Sequence, residues 1–432
     1  MDLGVQRRID RVLGVVLCAI LSLIPRSRKA IGGPLAPRKI LVILLSEMGS
    51  LVLAWPMFAR IRKKYPDAAV HVLLFEQNRD LLETLDIVPP EDIFTLSNRS
   101  LRRLVGDAVR VLIQMRRSRI DTVIDCELFA RVSSILSFLS GARIRVGFDP
   151  YTQEGLYRGG FINRPVLYNP YHHIAHQFIN LVEAIESGHC PTVKRDSTPD
   201  GLEIPALAVT EEEIGSQRAR FDADFPEVTG RRLILIYPGG GLLPIRAWPL
   251  AHFVVVTRDL VKNGYAVAII GLDEDKELAQ AIQAKCPHRS CIDLTGYTRS
   301  IRELLTIFHL AALLITNDGG PVHFASLSPI PTIVFFGPET PMLYGSLSPK
   351  AFPFYLSLSC SPCLTAYNHR HSPCDGDNLC LKQIPPEDVL KKAYEILTKE
   401  DNQSTDVPPS SLRKNATSYR SKGAASGAAV GS

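Results

Sequence analysis

The first half of the chain alternates between short, continuous apolar runs and segments whose apolar residues recur at helical spacing. Continuous runs of this length are typical of parallel strands that are buried on both faces of a sheet. Four runs are therefore predicted strands: KILVILL (39–45), AVHVLLF (69–75), DTVIDCE (121–127) and RIRVGF (143–148). Helical spacing is found in three intervening segments: LVLAWPMFARIRKKYP, RDLLETL and SSILSFLSG. Repeated strand and helix units predict a doubly wound α/β sheet.

The same alternation restarts after a polar, proline-bearing stretch at residues 190–230. The predicted strands of this second half are RLILIYP (232–238), AVAIIG (266–271), CIDLTG (291–296), LLITN (313–317) and TIVFFG (332–337). Its predicted helices are DEDKELAQAIQAK, SIRELLTIFHLA and IPPEDVLKKAYEIL. The whole pattern predicts two Rossmann-like domains that face each other across a cleft.

The chain of 432 residues, 46% of them hydrophobic, is long enough for two domains with a core each. A basic and apolar N-terminal segment and a tail rich in Ser, Thr, Pro, Gly and Ala flank them. The predicted organisation is an N-terminal segment (1–36), an N-terminal Rossmann-like domain (37–190), a linker (191–230), a C-terminal Rossmann-like domain (231–400) and a disordered tail (401–432).

The apolar run VLGVVLCAILSLI (12–24) lies between two basic clusters. It is shorter than the roughly 17–25 residues that span a bilayer as a helix. The basic sequence PRSRKA that follows it offers no small-residue cleavage site. Two alternatives remain: an interfacial or short signal-anchor helix in contact with a membrane, or an N-terminal helix packed on the body of the protein. We expect membrane contact.

Net charge and cysteine content exclude some classes and leave others open. A net charge of +5 gives no overall basicity of the nucleic-acid-binding kind, so no nucleic-acid partner is expected. Four of the nine cysteines, Cys360, Cys363, Cys374 and Cys380, form a C-x2-C-x10-C-x5-C cluster. This spacing is compatible with structural zinc, with two disulfides, or with free thiols.

The stretch NDGGPVHFA (317–325) places an acid and two glycines where a predicted strand gives way to a helix. Exposed N–H groups and the positive end of a helix dipole bind phosphate, and glycine lets the backbone approach a ligand closely. An acid does not itself bind phosphate well, so Asp318 is better suited to accept hydrogen bonds from hydroxyl groups of a ligand. The alternative is a helix-capping aspartate followed by a glycine turn.

A second glycine-rich loop, PGGG (238–241), follows the predicted strand 232–238. Loops at the carboxyl ends of strands are the ligand positions of an α/β sheet. Arg246 follows shortly after Gly239 and Gly240 and could bind a diphosphate bidentately. The alternative is a surface arginine beside a structural Trp248.

The chain resembles glycosyltransferase family 9, the heptosyltransferase family, over about residues 37–398. The family pattern N-D-S/T-G-x-x-H-hydrophobic-A matches at residues 317–325, and its Pro-Thr strand ending in F-G-P matches at residues 330–338. A basic residue two before a tryptophan matches at Arg246, and x-M-G-x after the first strand matches around Gly49. Together these matches are specific, whereas one glycine turn alone would be weak.

This resemblance implies a GT-B fold and inverting transfer of a sugar, expected to be heptose, from a nucleotide sugar, expected to be ADP-heptose. The implied acceptor is a lipopolysaccharide-core or related envelope glycan or glycolipid, at the cytoplasmic face of the inner membrane. As the family performs it, this chemistry needs no metal ion and no cofactor besides the nucleotide sugar. The resemblance also implies that the N-terminal domain binds the acceptor and the C-terminal domain binds the nucleotide sugar. The implied donor-binding residues are Gly239, Gly240, Arg246, Asp273, Asn317, Asp318, Gly319, Gly320 and His323. Glu274 and Asp275 compete closely with Asp273 for the position near the ribose, and a helix N-terminal acid explains all three equally well.

The sequence departs from the family after the first strand, where the family carries Gly-Asp and its aspartate is the proposed base. Here Gly49 is followed by Ser50, whose hydroxyl cannot act as a base near pH 7. Glu47 is the nearest carboxylate and is predicted to replace the aspartate as general base. Arg246 is the other predicted catalytic residue, as the cation for the leaving diphosphate.

The implied acceptor-binding residues are Gly49, Ser50, Glu127, Arg131 and His173. For His173 a helix-packing role is an equal alternative. The missing aspartate also leaves a second function open, that of a non-catalytic nucleotide-sugar-binding or scaffold protein in envelope assembly. Turnover of a donor separates these two functions.

Overall fold

The computed structural model describes residues 8–24, 36–45, 47–128, 130–148, 157–187, 202, 207–365 and 372–405. Within these residues the chain forms two six-stranded parallel sheets. The first is ordered β3-β2-β1-β4-β5-β6 and the second β12-β11-β10-β7-β8-β9. Both orders are those of a doubly wound sheet, as the sequence predicts.

The strands of the first sheet are β1 Lys39–Ile43, β2 Ala69–Phe75, β3 Ile93–Leu96, β4 Thr122–Asp125, β5 Ile144–Phe148 and β6 Arg164–Val166. Those of the second sheet are β7 Leu233–Tyr237, β8 Ala266–Gly271, β9 Cys291–Thr295, β10 Ala311–Asn317, β11 Thr332–Phe336 and β12 Ala351–Tyr355.

The helices of the N-terminal half are α1 Val15–Ser22, α2 Met48–Leu53, α3 Trp55–Lys64, α4 Arg79–Thr84, α5 Leu101–Arg117, α6 Arg131–Leu139 and α7 Ile174–Glu183. The remaining helices are α8 Glu211–Asp224, α9 Leu250–Lys262, α10 Lys276–Lys285, α11 Ile301–Leu310, α12 Gly320–Ala325, α13 Pro341–Tyr344, α14 Leu379–Lys382 and α15 Pro386–Thr405.

Edge strands are among the elements that the hydrophobic pattern missed. The strands β3, β6 and β12 each lie at an edge of a sheet, and none was predicted. The strands β3 and β6 are short, with four and three residues. The strands β6 and β12 contain Pro165 and Pro353, which an edge tolerates because one side of the strand has no partner. The central strands are buried on both faces, and their continuous apolar runs made them predictable from the sequence.

Several helices lie where no helix was predicted, among them α5, α7, α8 and α9. Helix α5 was missed although its buried residues Val111 and Met115 lie four apart, on one side of the helix. Helix α8 lies inside the predicted linker 191–230 and packs against α11. Its Glu213 binds Arg302 of α11, with Nε to Oε1 at 2.5 Å, so at least this part of the linker range is structured against the C-terminal half.

The N-terminal helix packs on the body of the protein through one side only. Cys18 is fully buried and clusters with Phe138 of α6 and Phe161. Asp10, in the π-helical turn Asp10–Gly14 that leads into α1, accepts hydrogen bonds from the backbone N–H and the Nη1 of Arg131, both at 2.9 Å. The opposite side of α1 remains apolar and exposed. Among the described residues, no helix is both long enough and apolar enough to cross a bilayer.

Among the described residues, the contacts between the two halves include the following three. The α-carbon of Gly49 lies against the ring of His323, where an added Cβ would come within 2.5 Å of Cδ2. His173 Nε2 lies 3.0 Å from the carbonyl oxygen of Gly345. The backbone N–H of Ile301 donates to Asp80 at 2.8 Å.

We expect Asp10→Asn to lower the free energy of unfolding by about 1.5–3 kcal/mol, the usual contribution of a hydrogen bond to a charged group. The substitution removes the carboxylate that pairs with Arg131, whose side chain is only 5% exposed. Urea denaturation of the variant and of the exposed Asp67→Asn control would measure the difference. Equal stability of the two variants would show that α1 is not anchored through this pair.

Candidate active site

The predicted donor residues converge at the carboxyl ends of β7 and β10. Asn317 is the last residue of β10, and its fully buried side chain joins three segments. Its Nδ2 donates to the carbonyl oxygens of Pro238 and Gly239, both at 2.9 Å, and its Oδ1 accepts from the N–H of Trp248 at 2.8 Å. Asn317 therefore holds the glycine loop in place, with its amide groups already engaged by the protein.

Arg246 and Asp318 form a buried ion pair beside this loop. Arg246 Nη1 lies 3.6 Å from Asp318 Oδ2, and the two side chains are 7% and 4% exposed. Arg246 Nε is buried and has no hydrogen-bond partner among the described residues. A buried polar group without a partner costs free energy. An incoming anion could satisfy this donor, so the arrangement suits a phosphate-bearing ligand.

The glycines of the loop are required by close packing. A Cβ on Gly240 would come within 2.8 Å of Leu243 O and the Pro244 backbone. A Cβ on Gly239 would come within 2.7 Å of the Tyr237 hydroxyl and of a carboxylate oxygen of Asp275. The third glycine of the loop, Gly241, has a φ of +57°, which favours glycine.

The acid beside the glycine loop is Asp275 rather than the predicted Asp273. The Asp273 carboxylate lies against Gly296 instead. Burial raises the pKa of Asp275, and the N–H of Leu272, which donates to its Oδ2 at 2.9 Å, lowers it. The two acids belong to one 3₁₀ turn, Asp273–Asp275, so the sequence located the turn but not which of its side chains faces the loop.

The turn at Gly319 and Gly320 leaves open space in front of α12. The φ of Gly319 is 170°, an extended conformation open to any residue, and a Cβ there would meet nothing nearer than 3.9 Å. Gly320 begins α12, whose first-turn N–H groups lack acceptors within the helix. The backbone N–H groups of Gly319 and Gly320 are therefore candidates to bind a ligand next to Asp318.

The pKa of His323 depends on charged and titratable groups from both halves. Burial lowers its pKa to about 4, the charge of Glu47 opposes this shift, and His173 and Arg246 add to it. Its ring is therefore neutral at pH 7, and its Nδ1 has no partner among the described residues. Charges from both sides of the cleft act on this one imidazole.

Glu47, the predicted base, lies two residues before Gly49, which contacts the ring of His323. Glu47 immediately precedes α2, is half-buried, and accepts the N–H of Ser50 on its carbonyl oxygen at 3.0 Å. Gly49 touches the ring of His323, so the loop reaches the donor side of the cleft. The structure brings Glu47, Gly49 and Ser50 together with His323.

The other predicted acceptor residues make contacts within the protein. Glu127 Oε1 accepts the N–H of Leu45 at 2.7 Å, which fixes the start of the loop after β1. Arg131 contacts Asp10 and donates from Nε to the Tyr157 carbonyl at 2.9 Å, so the N-terminal segment engages its guanidinium.

His173 also uses both of its ring nitrogens within the protein. Its Nδ1 accepts the N–H of Ala175 at 3.3 Å, and this leaves Nε2 as the donor to Gly345 across the cleft. Burial lowers its pKa. His173, which was predicted to bind the acceptor, thus forms a hydrogen bond between the two halves. Sequence spacing could not indicate this contact.

In the described part of the chain, none of the four clustered cysteines forms a disulfide. Burial, and to a smaller extent the nearby Cys363, Cys360 and Cys374, raise the pKa of Cys380 to about 11. No three or more His, Cys, Asp or Glu side chains in the described part of the chain are arranged to hold a metal ion.

Curated proteins and solved structures resemble this chain over most of its length. Lipopolysaccharide heptosyltransferase 2 of Salmonella typhimurium is 25% identical over 369 residues, which cover 84% of this chain and 99% of that protein. The Escherichia coli K12 enzyme of the same name is 25% identical over 370 residues, covering 84% and 99%. The solved E. coli ADP-heptose lps heptosyltransferase II superposes with a TM-score of 0.66 at 22% identity, covering 84% of this chain and 99% of that chain.

The fold of these structures confirms the predicted GT-B architecture of two Rossmann-like domains. Residues 109–372, more than half of the chain, match the model of glycosyltransferase family 9 (heptosyltransferase). The match includes the glycine loop, Arg246 and the turn at Asp318. The chain therefore belongs to glycosyltransferase family 9, the heptosyltransferase family, and is a glycosyltransferase.

Proposed function

We propose that this protein is an inverting heptosyltransferase that moves heptose from ADP-heptose to a lipopolysaccharide-core or related envelope glycan. Support comes from the relatives, which are named lipopolysaccharide heptosyltransferases, and from a solved structure whose name includes ADP-heptose. The observation that carries the proposal is the contact between Gly49 and His323, because it joins the loop of the proposed base to the proposed donor pocket.

On the donor side, the proposed pocket is formed by the glycine loop, the Gly319–Gly320 turn and Arg246. Arg246 and the N–H groups of the turn stabilise the charge that develops on the departing diphosphate. Asp318, paired with Arg246 at 3.6 Å, accepts hydrogen bonds from the sugar hydroxyls. Asn317 holds the loop, and the position of Asp275 beside the loop favours it over Asp273 as the acid near the ribose.

On the acceptor side, Glu47 takes the proton of the attacking hydroxyl. The hydroxyl oxygen forms a bond to the anomeric carbon as the bond from that carbon to the diphosphate breaks, and ADP leaves with the bonding electron pair. The neutral imidazole of His323 adds no positive charge that would compete for the Glu47 carboxylate. Ser50 can orient the acceptor, and His173 holds the two halves at this spacing.

The proposed partners are the nucleotide sugar, a glycan or glycolipid acceptor and the surface of the inner membrane on its cytoplasmic side. The exposed apolar side of α1 supports membrane contact at the N-terminus, while its packing on α6 supports a peripheral position. The proposed reaction uses no metal ion and no cofactor beyond the nucleotide sugar.

We expect Arg246→Ala and Asp318→Ala each to reduce heptose transfer about 10²–10³-fold, because losing one charge-stabilising group commonly has this effect on kcat. Initial rates of ADP release with a glycan acceptor would measure it. The exposed Arg289→Ala is the matched control and should retain the wild-type rate. Thermal shifts with ADP-heptose test binding separately, and wild-type rates in both cleft variants would refute the pocket.

Replacing Glu47 by Gln should lower transfer about 10²–10⁴-fold, the usual contribution of a general base, while ADP-heptose binding persists. Ser50→Ala should have a much smaller effect, because a hydroxyl at that position is not a base. In the Glu47→Gln background, Ser50→Asp restores the carboxylate usual in the family and should recover part of the rate. A Glu47→Gln enzyme as fast as wild type would exclude Glu47 as the base.

The lowered pKa of His323 predicts a loss of stability in mild acid. The unfolded histidine has a pKa near 6.5 and the folded one about 4, so the unfolded state binds the proton first as pH falls between these values. The stability that the folded state gains by keeping His323 neutral is complete above pH 6.5 and decreases as the pH falls toward 4. Between pH 7 and pH 5, wild type should lose about 2 kcal/mol more than His323→Gln in urea unfolding. Parallel losses would contradict the assigned neutral imidazole.

A further inference from the structure

Two helices of the N-terminal half expose apolar side chains in continuous stripes. On α1 and its flanking turns the stripe includes Val12, Leu13, Val16, Leu17, Ile20 and Leu23, which are 47–81% exposed. On α5 it consists of Leu101, Val105, Val109 and Ile113, which are 39–56% exposed. Residues four apart share one side of a helix, so the α5 residues form a single stripe. Contiguous exposed apolar area of this kind marks an interaction surface.

Both stripes border the same helix, α6. Arg116 lies three positions after Ile113, hence on the same side of α5, and its Nη2 donates to the Leu139 carbonyl at the end of α6 at 2.7 Å. The apolar stripe of α5 is therefore on the side turned toward α6. Phe138 of α6 packs on Cys18 of α1. Helices α1 and α5 thus both lie beside α6, and we name their two exposed apolar stripes together the α1–α5 face.

Arginines surround the apolar stripes on this face. Arg8 and Arg11 are exposed beside α1, and Arg102, Arg103, Arg110 and Arg117 are exposed on α5. The acids nearby are occupied: Asp10 pairs with Arg131, and Asp107 pairs with Arg110 and accepts the N–H of Ser97. The face therefore combines apolar area with an excess of positive charge.

We propose that the α1–α5 face docks on the surface of an anionic phospholipid bilayer, with both apolar stripes in the interface and the arginines on lipid phosphates. An amphipathic surface with basic flanks has the chemistry of such binding. A second copy of this chain fits less well, because a two-fold pairing of the face would bring its arginines toward their own equivalents. The proposal extends membrane contact from the N-terminal segment to α5. It rests on the proposed function in one respect, which is that the docked enzyme would find a lipid-linked acceptor in the membrane.

The test is co-sedimentation of the full-length protein with vesicles of phosphatidylcholine, alone or mixed with phosphatidylglycerol. The double variant Val105→Glu/Val109→Glu places two negative charges in the α5 stripe. Each charge should change affinity for the anionic vesicles about fivefold, so the variant should bind about 25-fold more weakly. Val255→Glu is the matched control, because Val255 is 42% exposed on α9 of the other half, and it should bind as wild type.

The arginines are tested by Arg102→Gln/Arg103→Gln, which should also weaken binding about 25-fold at low salt and less at high salt. If thermal unfolding shows that the glutamate variant does not fold, Val105→Ser/Val109→Ser replaces it in the test. It should weaken binding without altering the salt dependence. Wild-type vesicle binding by both α5 stripe variants, or by the arginine variant, would overturn the proposal.

Two further measurements separate this proposal from other outcomes. Sedimentation velocity in the absence of lipid would reveal a dimer. If Val105→Glu/Val109→Glu abolished that dimer and left vesicle binding unchanged, the face would be a subunit interface and the proposal would be overturned. Transfer to a water-soluble acceptor should be unchanged in that variant, whereas transfer to a vesicle-embedded acceptor should fall. If wild type transfers heptose to neither acceptor, the proposed function fails while the vesicle-binding result still decides the docking.

Discussion

The close approach of Gly49 to the imidazole of His323 is the constraint on which the organisation of the cleft depends. No side chain fits at position 49, because even a Cβ would come within 2.5 Å of the ring. The contact brings α2 of one half against α12 of the other and leaves His323 6% exposed. Burial in turn lowers the pKa of the ring to about 4. One glycine thus determines both the spacing of the halves and the charge of a central side chain.

Around this contact, the protein satisfies some polar groups and leaves others available. The amide of Asn317 is committed to Pro238, Gly239 and Trp248, so it gives rigidity to the loop. Arg246 has only a long ion pair to Asp318 and a buried Nε without a partner in the described residues. Since buried donors without partners are costly, a site that retains one is prepared for a ligand that supplies the acceptor.

The N-terminal segment shows how one helix can meet two environments. One side of α1 is fixed to the domain by Cys18 and by the pair of Asp10 with Arg131, whereas the other side is apolar and exposed. The two alternatives considered from sequence, packing on the body and contact with a membrane, are therefore compatible with each other. The arginine predicted to bind the acceptor is the residue that anchors this helix.

The sequence by itself determined the central strands, the two-domain architecture and the turns at Gly239 and Asp318, because continuous apolar runs and glycine turns are local features with a direct structural meaning. Only the tertiary structure decided which side chains of those turns face each other. It placed Asp275 rather than Asp273 beside the loop, His323 near Glu47, and Arg131 on Asp10. It also formed the edge strands β3, β6 and β12, two of which contain a proline. These outcomes depend on packing between segments far apart in the chain, and hydrophobic periodicity contains no information about such partners.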